Sequence, residues 1–249
     1  MIGKIEKYIR KEISKNGTIA FALIDSENAS IEKIVNIVYN VEKCNVKSIL
    51  IGGSTAINPF ELDHIVRTIK KKIKIPVILF PGNVTGISPN ADAILFSSLL
   101  NSDNPYFITQ AQALSAFSIK KYGIEVIPMG YIVIGEGGAI GFVGRARGIP
   151  PNKPNLVAMY ALAAKYMGMR FVYLEAGSGV ISHVSSLIVK KVRDVFDDIL
   201  IVGGGIRKID EAKKLAKAGA DILVIGTLLE TDDFIPKLIE IVEGIKNLR

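Results

Sequence analysis

Eight nearly continuous apolar runs alternate along the chain with stretches of helical periodicity. They are IAFALID (19–25), VKSILIGG (46–53), IPVILFPG (75–82), ADAILFSSLL (91–100), IEVIPMGYIVI (124–134), RFVYLEA (170–176), ILIVGGG (199–205) and ADILVIGT (220–227). A strand wetted on one face would alternate apolar and polar residues. Unbroken Ile, Val and Leu predict strands covered on both faces, as in a parallel sheet. Between them, SIEKIVNIVYNVEKC carries apolar residues at 31, 34, 35, 38 and 41, a helical stripe. NPFELDHIVRTIKKK opens with Asn58 as N-cap and Pro59 at the first helical position. NPYFITQAQALSAFSIKKYG repeats that start and ends at Gly123. Further helices are expected over 155–168, 180–196, 208–218 and 231–247. This alternation predicts an α/β fold, a (β/α)8 TIM barrel, over a doubly wound open sheet. The third outer helix is expected to be missing or replaced by a loop, because only NVTGISPN (83–90) separates the third and fourth runs. No linker or low-complexity segment divides residues 1–249, so one domain is expected.

Composition narrows the function classes. Hydrophobic residues make up 49% of the 249, enough for a large core and against wholesale disorder. The net charge of +7 favours anionic partners, but the basic residues are scattered. The densest run, KKKIK (Lys70–Lys74), reads as the polar end of a helix. Aromatic and basic residues do not interleave, so no nucleic acid is expected. Cys44 is the single cysteine, which excludes an internal disulfide and a thiolate cluster. No apolar run reaches the roughly 20 residues of a membrane span. The N-terminal MIGKIEKYIRKEIS is amphipathic and charged throughout, unlike a signal peptide. A reducing, cytoplasmic setting is expected.

The candidate site follows from the strand ends. In such barrels the site lies at the C-terminal ends of the strands, with phosphate commonly held after strands seven and eight. Gly203, Gly204 and Gly205 follow the seventh run, and Gly226 and Thr227 the eighth. Glycine lets backbone N–H groups approach phosphate oxygens closely. The sixth run ends in YLEAGSG (173–179), adding a third flexible loop and Glu175. A carboxylate beside a phosphate pocket repels the phosphate; it suits a substrate hydroxyl, which it can orient and deprotonate. Across the barrel, Asp25 closes the first run, and Ser54 and Thr55 follow the second. One carboxylate with hydroxyls suits a hard cation such as Mg2+, the substrate's phosphates supplying the remaining ligands. Apolar and aromatic groups, Phe80, Phe96, Phe107 and Tyr131 among them, crowd strands three to five. Most belong to the barrel core, yet beside the missing helix they can also line a groove leaving the mouth. Phosphate pocket, metal site and groove together suit a lipid diphosphate joined to a small phosphorylated alcohol. GEGGAIGFVGRARGIP (135–150) is expected to form a mobile lid, with Arg145 and Arg147 meeting diphosphate or solvent. His64 and His183 lack partners at metal-ligand spacing and read as surface or capping residues in helices.

YLEAGSG, GGGIR, ADILVIGT, ISPNADAILFSSLLNSDNPYFI and IPMGYIVI together resemble the geranylgeranylglyceryl phosphate synthases, the prenyltransferases of archaeal ether-lipid synthesis. The resemblance spans ALIDSEN to the last helix, and bacterial heptaprenylglyceryl phosphate synthases share it. It implies Mg2+-dependent transfer of a geranylgeranyl group from geranylgeranyl diphosphate to the 3-hydroxyl of sn-glycerol 1-phosphate, releasing diphosphate and making the first ether bond of the lipid. By position, Asp25 and Ser54 match the family's metal site. Tyr173, Leu174, Glu175, Ala176, Gly177, Ser178, Gly179, Gly204, Gly205, Gly226 and Thr227 match its glycerol-phosphate site, with Glu175 and Tyr173 as the catalytic pair. The family also lacks a regular third helix and assembles as homo-oligomers; peripheral membrane contact is a further expectation. A related synthase of different chain length, or a phosphate-binding isomerase, is the alternative reading.

Overall fold

Strands covered on both faces must find a second layer outside and a partner across the interior. Both are present in a computed structural model, which describes residues 2–25, 30–53, 58–180 and 183–248. Strands β1 (Ile19–Asp25), β2 (Ser48–Gly53), β3 (Val77–Pro81), β4 (Ala93–Leu99), β5 (Glu125–Val133), β6 (Phe171–Glu175), β7 (Ile199–Gly203) and β8 (Ile222–Ile225) pair in chain order. β8 returns to β1 and closes a parallel barrel. Alternate residues divide the strands between two cores. Phe21, Leu50, Ile78, Leu95, Met129, Phe171, Ile201 and Ile222 fill the interior. Ala22, Ile49, Leu79, Ile132, Val172, Leu200 and Leu223 pack outward under the helices. That division is why the runs read as continuous.

The outer layer is α2 (Ile31–Lys43), α3 (Pro59–Lys70), α4 (Ala111–Tyr122), α6 (Pro154–Tyr166), α7 (Ser186–Arg193), α8 (Ile209–Ala218) and α9 (Phe234–Gly244), with a short α5 (Gly138–Val143) in the connection after β5. Ser30 and Asn58 cap α2 and α3 through their side chains, and Gly123 ends α4 with φ +69°. Three helices start later than the sequence predicts. The segment before α4 is a π-helical turn, Tyr106–Gln110. A 3-10 turn, Thr227–Glu230, precedes α9. α7 begins only at Ser186, because Ser185 takes the Ile188 N–H and fixes the start there. No described helix is long and apolar enough to cross a membrane.

Between β3 and β4 there is no helix, as NVTGISPN implies. The loop is held to α3 instead: Asp63 Oδ1 accepts from the Ser88 hydroxyl and the Asn90 amide, each at 2.7 Å. These bonds and Arg67 keep the Asp63 carboxyl below its usual range. The crossover from β3 to β4 therefore brings no helix of its own to the outer layer.

The N-terminal segment supplies an element that sequence periodicity does not place. α1 (Lys4–Asn16) lies under the N-terminal ends of the strands. Ile9 is fully buried in the interior cluster, with Ile5 and Ile13 packed beside it. The Glu125 carboxylate, at the start of β5, accepts the N–H groups of Ile5 and Glu6 at 2.7 and 2.8 Å, satisfying α1's first turn. Glu6 is fully buried and paired with Arg10 and Arg170. Burial pushes its pKa up, but the two guanidinium groups outweigh that and hold it low. The bottom of the barrel is thus closed, and the C-terminal end carries the cleft.

Candidate active site

Glu175 is the last residue of β6 and lies in register with Val133 of β5 and Gly203 of β7. It is 5% exposed. Its Oε1 accepts the Gly177 N–H at 2.6 Å, and its Oε2 accepts the Tyr131 hydroxyl at 3.0 Å. Burial raises its pKa, and that effect prevails over the Gly177 amide and the Tyr131 and Tyr173 hydroxyls, which favour the charged form. Burial, and then the Glu175 charge, push the Tyr131 and Tyr173 phenols well above their ordinary range. Both tyrosines stay protonated. The Tyr173 hydroxyl is buried beside the same carboxylate without closing a well-formed hydrogen bond to it. It rests against Gly203, where an added Cβ would come within 1.9 Å of it.

Three rings surround this carboxylate. Phe80 stacks on Tyr173 with centroids 5.2 Å apart, and meets Tyr131 edge-on at 5.3 Å. Tyr131 and Tyr173 meet edge-on at 5.1 Å. The negative faces of aromatic rings beside a buried carboxylate favour positive charge. Sequence reasoning placed Phe80 and Tyr131 only among apolar groups. The β5–β6 register, which sets Tyr131 opposite Tyr173, is what draws them into the site.

The loops after β6 and β7 meet, whereas Gly226 faces Leu23 of β1. Gly177, Gly179, Gly204 and Gly205 have φ of +115°, +74°, +84° and +72°. An added Cβ at Gly204 would lie 2.5 Å from Glu175 Oε1 and 2.7 Å from Gly177 N, so the β6 and β7 loops touch there. Two backbone donors of the region are internal: Gly177 N–H binds Glu175, and Ala176 N–H binds the Gly203 carbonyl at 3.2 Å. They do not point at an anion, which narrows the expected donor set. Leu174 and Ala176 direct their side chains into the outer core, so any role of theirs in the site is through backbone.

One open cleft, about 1210 Å3 counted out to solvent, takes in part of these features; Tyr173, Gly177, Gly179, Gly204 and Gly205 stand behind its lining. Asp25, Glu175, Ser178, Gly226 and Thr227 line one flank. Phe80, Leu95, Phe107 and Tyr131 line the middle. Ile94 and Phe96, which belong to the outer face of β4, line the far end with Ile87. The cleft therefore leaves the barrel mouth through the gap of the missing helix, and it is oily along that path. Asp25 stands opposite Gly52 of β2. Ser54 and Thr55 lie outside the described residues. No group of three metal-binding side chains occurs among the described residues.

The remaining candidates are structural. His64 is exposed on α3, whereas His183 precedes α7 instead of lying within it, its Nδ1 2.7 Å from the Val184 carbonyl. Cys44 is buried, which pushes its thiol up and argues against a nucleophile. The 135–150 segment is stitched down rather than loose. Asn101 Nδ2 donates to the Val133 and Arg147 carbonyls, both at 2.9 Å, and the Ser102 hydroxyl donates to Gly144 O at 2.6 Å. Arg145 and Arg147 are exposed, and Arg147 has a loose ion pair with Asp103 at 3.8 Å.

Comparison with known proteins agrees with this architecture. The chain is 55% identical over 243 residues to the geranylgeranylglyceryl phosphate synthase of Nitrosopumilus maritimus, covering 98% of this chain and 97% of that one. It is 51% identical to the same enzyme of Pyrococcus horikoshii, covering 99% and 96%. The crystal structure of (S)-3-O-geranylgeranylglyceryl phosphate synthase from Thermoplasma acidophilum, in complex with its substrate sn-glycerol-1-phosphate, superposes with a TM-score of 0.93 at 40% identity, covering 99% of each chain. The family model described as the PcrB family matches residues 11–245, and with relatives this similar over the full barrel, the chain belongs to that family.

Proposed function

We propose that this chain transfers a geranylgeranyl group from its diphosphate to the 3-hydroxyl of sn-glycerol 1-phosphate. The observation that carries this reading is the position of Glu175, buried where a glycine-lined polar flank meets an oily trench. The named relatives support the identity of both substrates. The Ser178, Gly226 and Thr227 flank holds the phosphate, leaving the glycerol hydroxyl at Glu175. The trench from Phe80 out to Phe96 holds the hydrocarbon and excludes water from the reacting carbon. As the allylic C–O bond breaks, its electron pair leaves with diphosphate, and the rings of Phe80, Tyr131 and Tyr173 stabilise the positive charge left behind. The hydroxyl oxygen forms the new C–O bond, and its proton passes to Glu175 and then to solvent.

Asp25 offers only oxygen ligands to the cleft, which fits a hard cation such as Mg2+ with phosphate oxygens completing the shell; Ser54, the second residue expected at that site, lies outside the described residues. Bound there, Mg2+ would neutralise charge on the diphosphate leaving group. An isomerase or aldolase-like barrel, which calls for a lysine or paired carboxylates at the strand ends, is disfavoured: no lysine lines the cleft among the described residues, and its strand-end carboxylates Asp25 and Glu175 stand far apart in strand order, on β1 and β6. The test is incubation with labelled sn-glycerol 1-phosphate and prenyl diphosphates of graded length, with and without EDTA. Product with the twenty-carbon donor, lost on chelation and restored by Mg2+, is the expected result. Binding without product sinks the reading.

The outer faces of α4 and α6 support self-association. Leu114, Phe117, Met159, Tyr166 and Met167 are large, apolar and exposed there. Sedimentation at micromolar concentration is expected to give a homo-oligomer; a monomer would end this part of the proposal. The hydrophobic product supports peripheral membrane contact, which flotation with lipid vesicles reads directly.

A further inference from the structure

The three loops proposed to hold the phosphate are poor in cations. Across 176–185, 203–208 and 226–233 the basic side chains are His183, Arg207 and Lys208. No arginine or lysine lines the cleft itself among the described residues. Arg207 differs from the other two because its head group reaches from one loop to another. Its Nη1 donates to the Val180 carbonyl at 2.9 Å, joining the loop after β7 to the middle of the loop after β6. Its own backbone is fixed from the opposite side. Glu211 Oε2 accepts the N–H groups of Arg207 and Lys208 at 2.9 and 3.0 Å, anchoring both to the first turn of α8.

The β6 loop is thereby held at two points. Near its start, Gly177 is bound to Glu175 and abuts Gly204. Beyond Gly179, it is held by Arg207. Between these two points lie Ser178 and Gly179, and the positive φ of Gly177 and Gly179 leaves an unfastened loop many alternatives. A loop that must present backbone N–H groups to a dianion gains affinity when it is already in place. A half-buried guanidinium next to it also adds the positive charge that the flank otherwise lacks.

We infer that Arg207 is a positioning residue for the phosphate of the small substrate, tethering the β6 loop and setting its potential. It is not placed at the reacting atoms, so it governs binding of the phosphorylated alcohol and leaves the hydrocarbon site alone. The inference rests on the glycerol-phosphate reading above.

The test compares wild type, Arg207→Ala and Arg207→Lys by calorimetry with sn-glycerol 1-phosphate alone, then by steady-state kinetics with both substrates. In Arg207→Ala, Kd and KM for glycerol phosphate are expected to rise about tenfold or more, as for one lost charge-assisted hydrogen bond. The KM for the prenyl diphosphate, and kcat at saturation, should stay within about twofold, because uniform binding is what is lost. Arg207→Lys keeps the charge and one donor and should recover part of the affinity; it also serves if the alanine variant fails to fold. Equal weakening of both substrates, or unchanged glycerol-phosphate affinity in both variants, overturns the inference. Wild-type protein that binds no glycerol phosphate would instead refute the functional reading on which it stands.

Discussion

Glu175→Gln lowers turnover by about 10²-fold or more, the usual size of a lost general base, while the protein becomes more heat-stable. The two effects have one origin. Burial disfavours the Glu175 carboxylate, and Gly177, Tyr131 and Tyr173 only partly compensate, so its pKa in the fold lies above the ordinary 4.5. The folded chain therefore binds that proton more tightly than the unfolded chain does. Stability from this group is complete below pH 4.5 and is lost as pH rises through the folded value. Near neutral pH the wild type carries the cost of a desolvated charge, and glutamine removes it. The difference in Tm should be largest at neutral pH and shrink as the solution is acidified. Catalysis has the opposite dependence, because only the ionised carboxylate accepts a proton: kcat/KM falls on the acid side through the raised pKa. Tyr131→Phe removes a donor that favours the ionised form, so it should move that acid limb to higher pH. A variant Glu175→Gln with wild-type turnover removes Glu175 as base. An acid limb that moves down in Tyr131→Phe shows that the hydroxyl acts in some other way.

The barrel is legible in the sequence because both faces of each strand are covered, and continuous apolar runs admit few other folds. The gap in the helical ring is equally plain, since eight residues punctuated by Gly and Pro leave no room for a helix. Glu175 is found because a charged residue closing an apolar strand must reach the mouth. Other features depend on what the chain meets in space. The stripe of Ile5, Ile9 and Ile13 announces a helix but does not say that its partner is the barrel floor. The Tyr131–Glu175 bond is set by the β5–β6 register, which periodicity does not encode. The YLEAGSG glycines suggest a row of outward-facing amides, yet Gly177 spends its N–H on the neighbouring carboxylate. Local composition also hides the start of α7: Ser182, Ser185 and Ser186 all resemble caps, and the structure uses Ser185.

Gly204→Ala and Gly226→Ala should damage the enzyme in different ways, and the contrast tests where the phosphate sits. At Gly204 the backbone has φ +84°, which L side chains rarely adopt, and a Cβ would meet Glu175 Oε1 at 2.5 Å and Gly177 N at 2.7 Å. Neither neighbour can yield without breaking their mutual hydrogen bond. The carboxylate is displaced from its position under the rings, and kcat should fall by about 10²-fold, as expected for an ångström-scale misplacement of a catalytic group. At Gly226 the backbone has φ −119°, and nothing lies within 3.7 Å of the added Cβ. That substitution meets no clash in the protein alone, so Tm should fall far less than in Gly204→Ala. If the Gly226–Thr227 backbone closes on a phosphate, the new methyl occupies the approach. KM for sn-glycerol 1-phosphate should then rise at least about tenfold, with kcat at saturation nearly retained. A Gly226→Ala variant with unchanged KM means the phosphate sits elsewhere in the cleft. A Gly204→Ala variant with full kcat means that Glu175 does not need the position the loops impose on it.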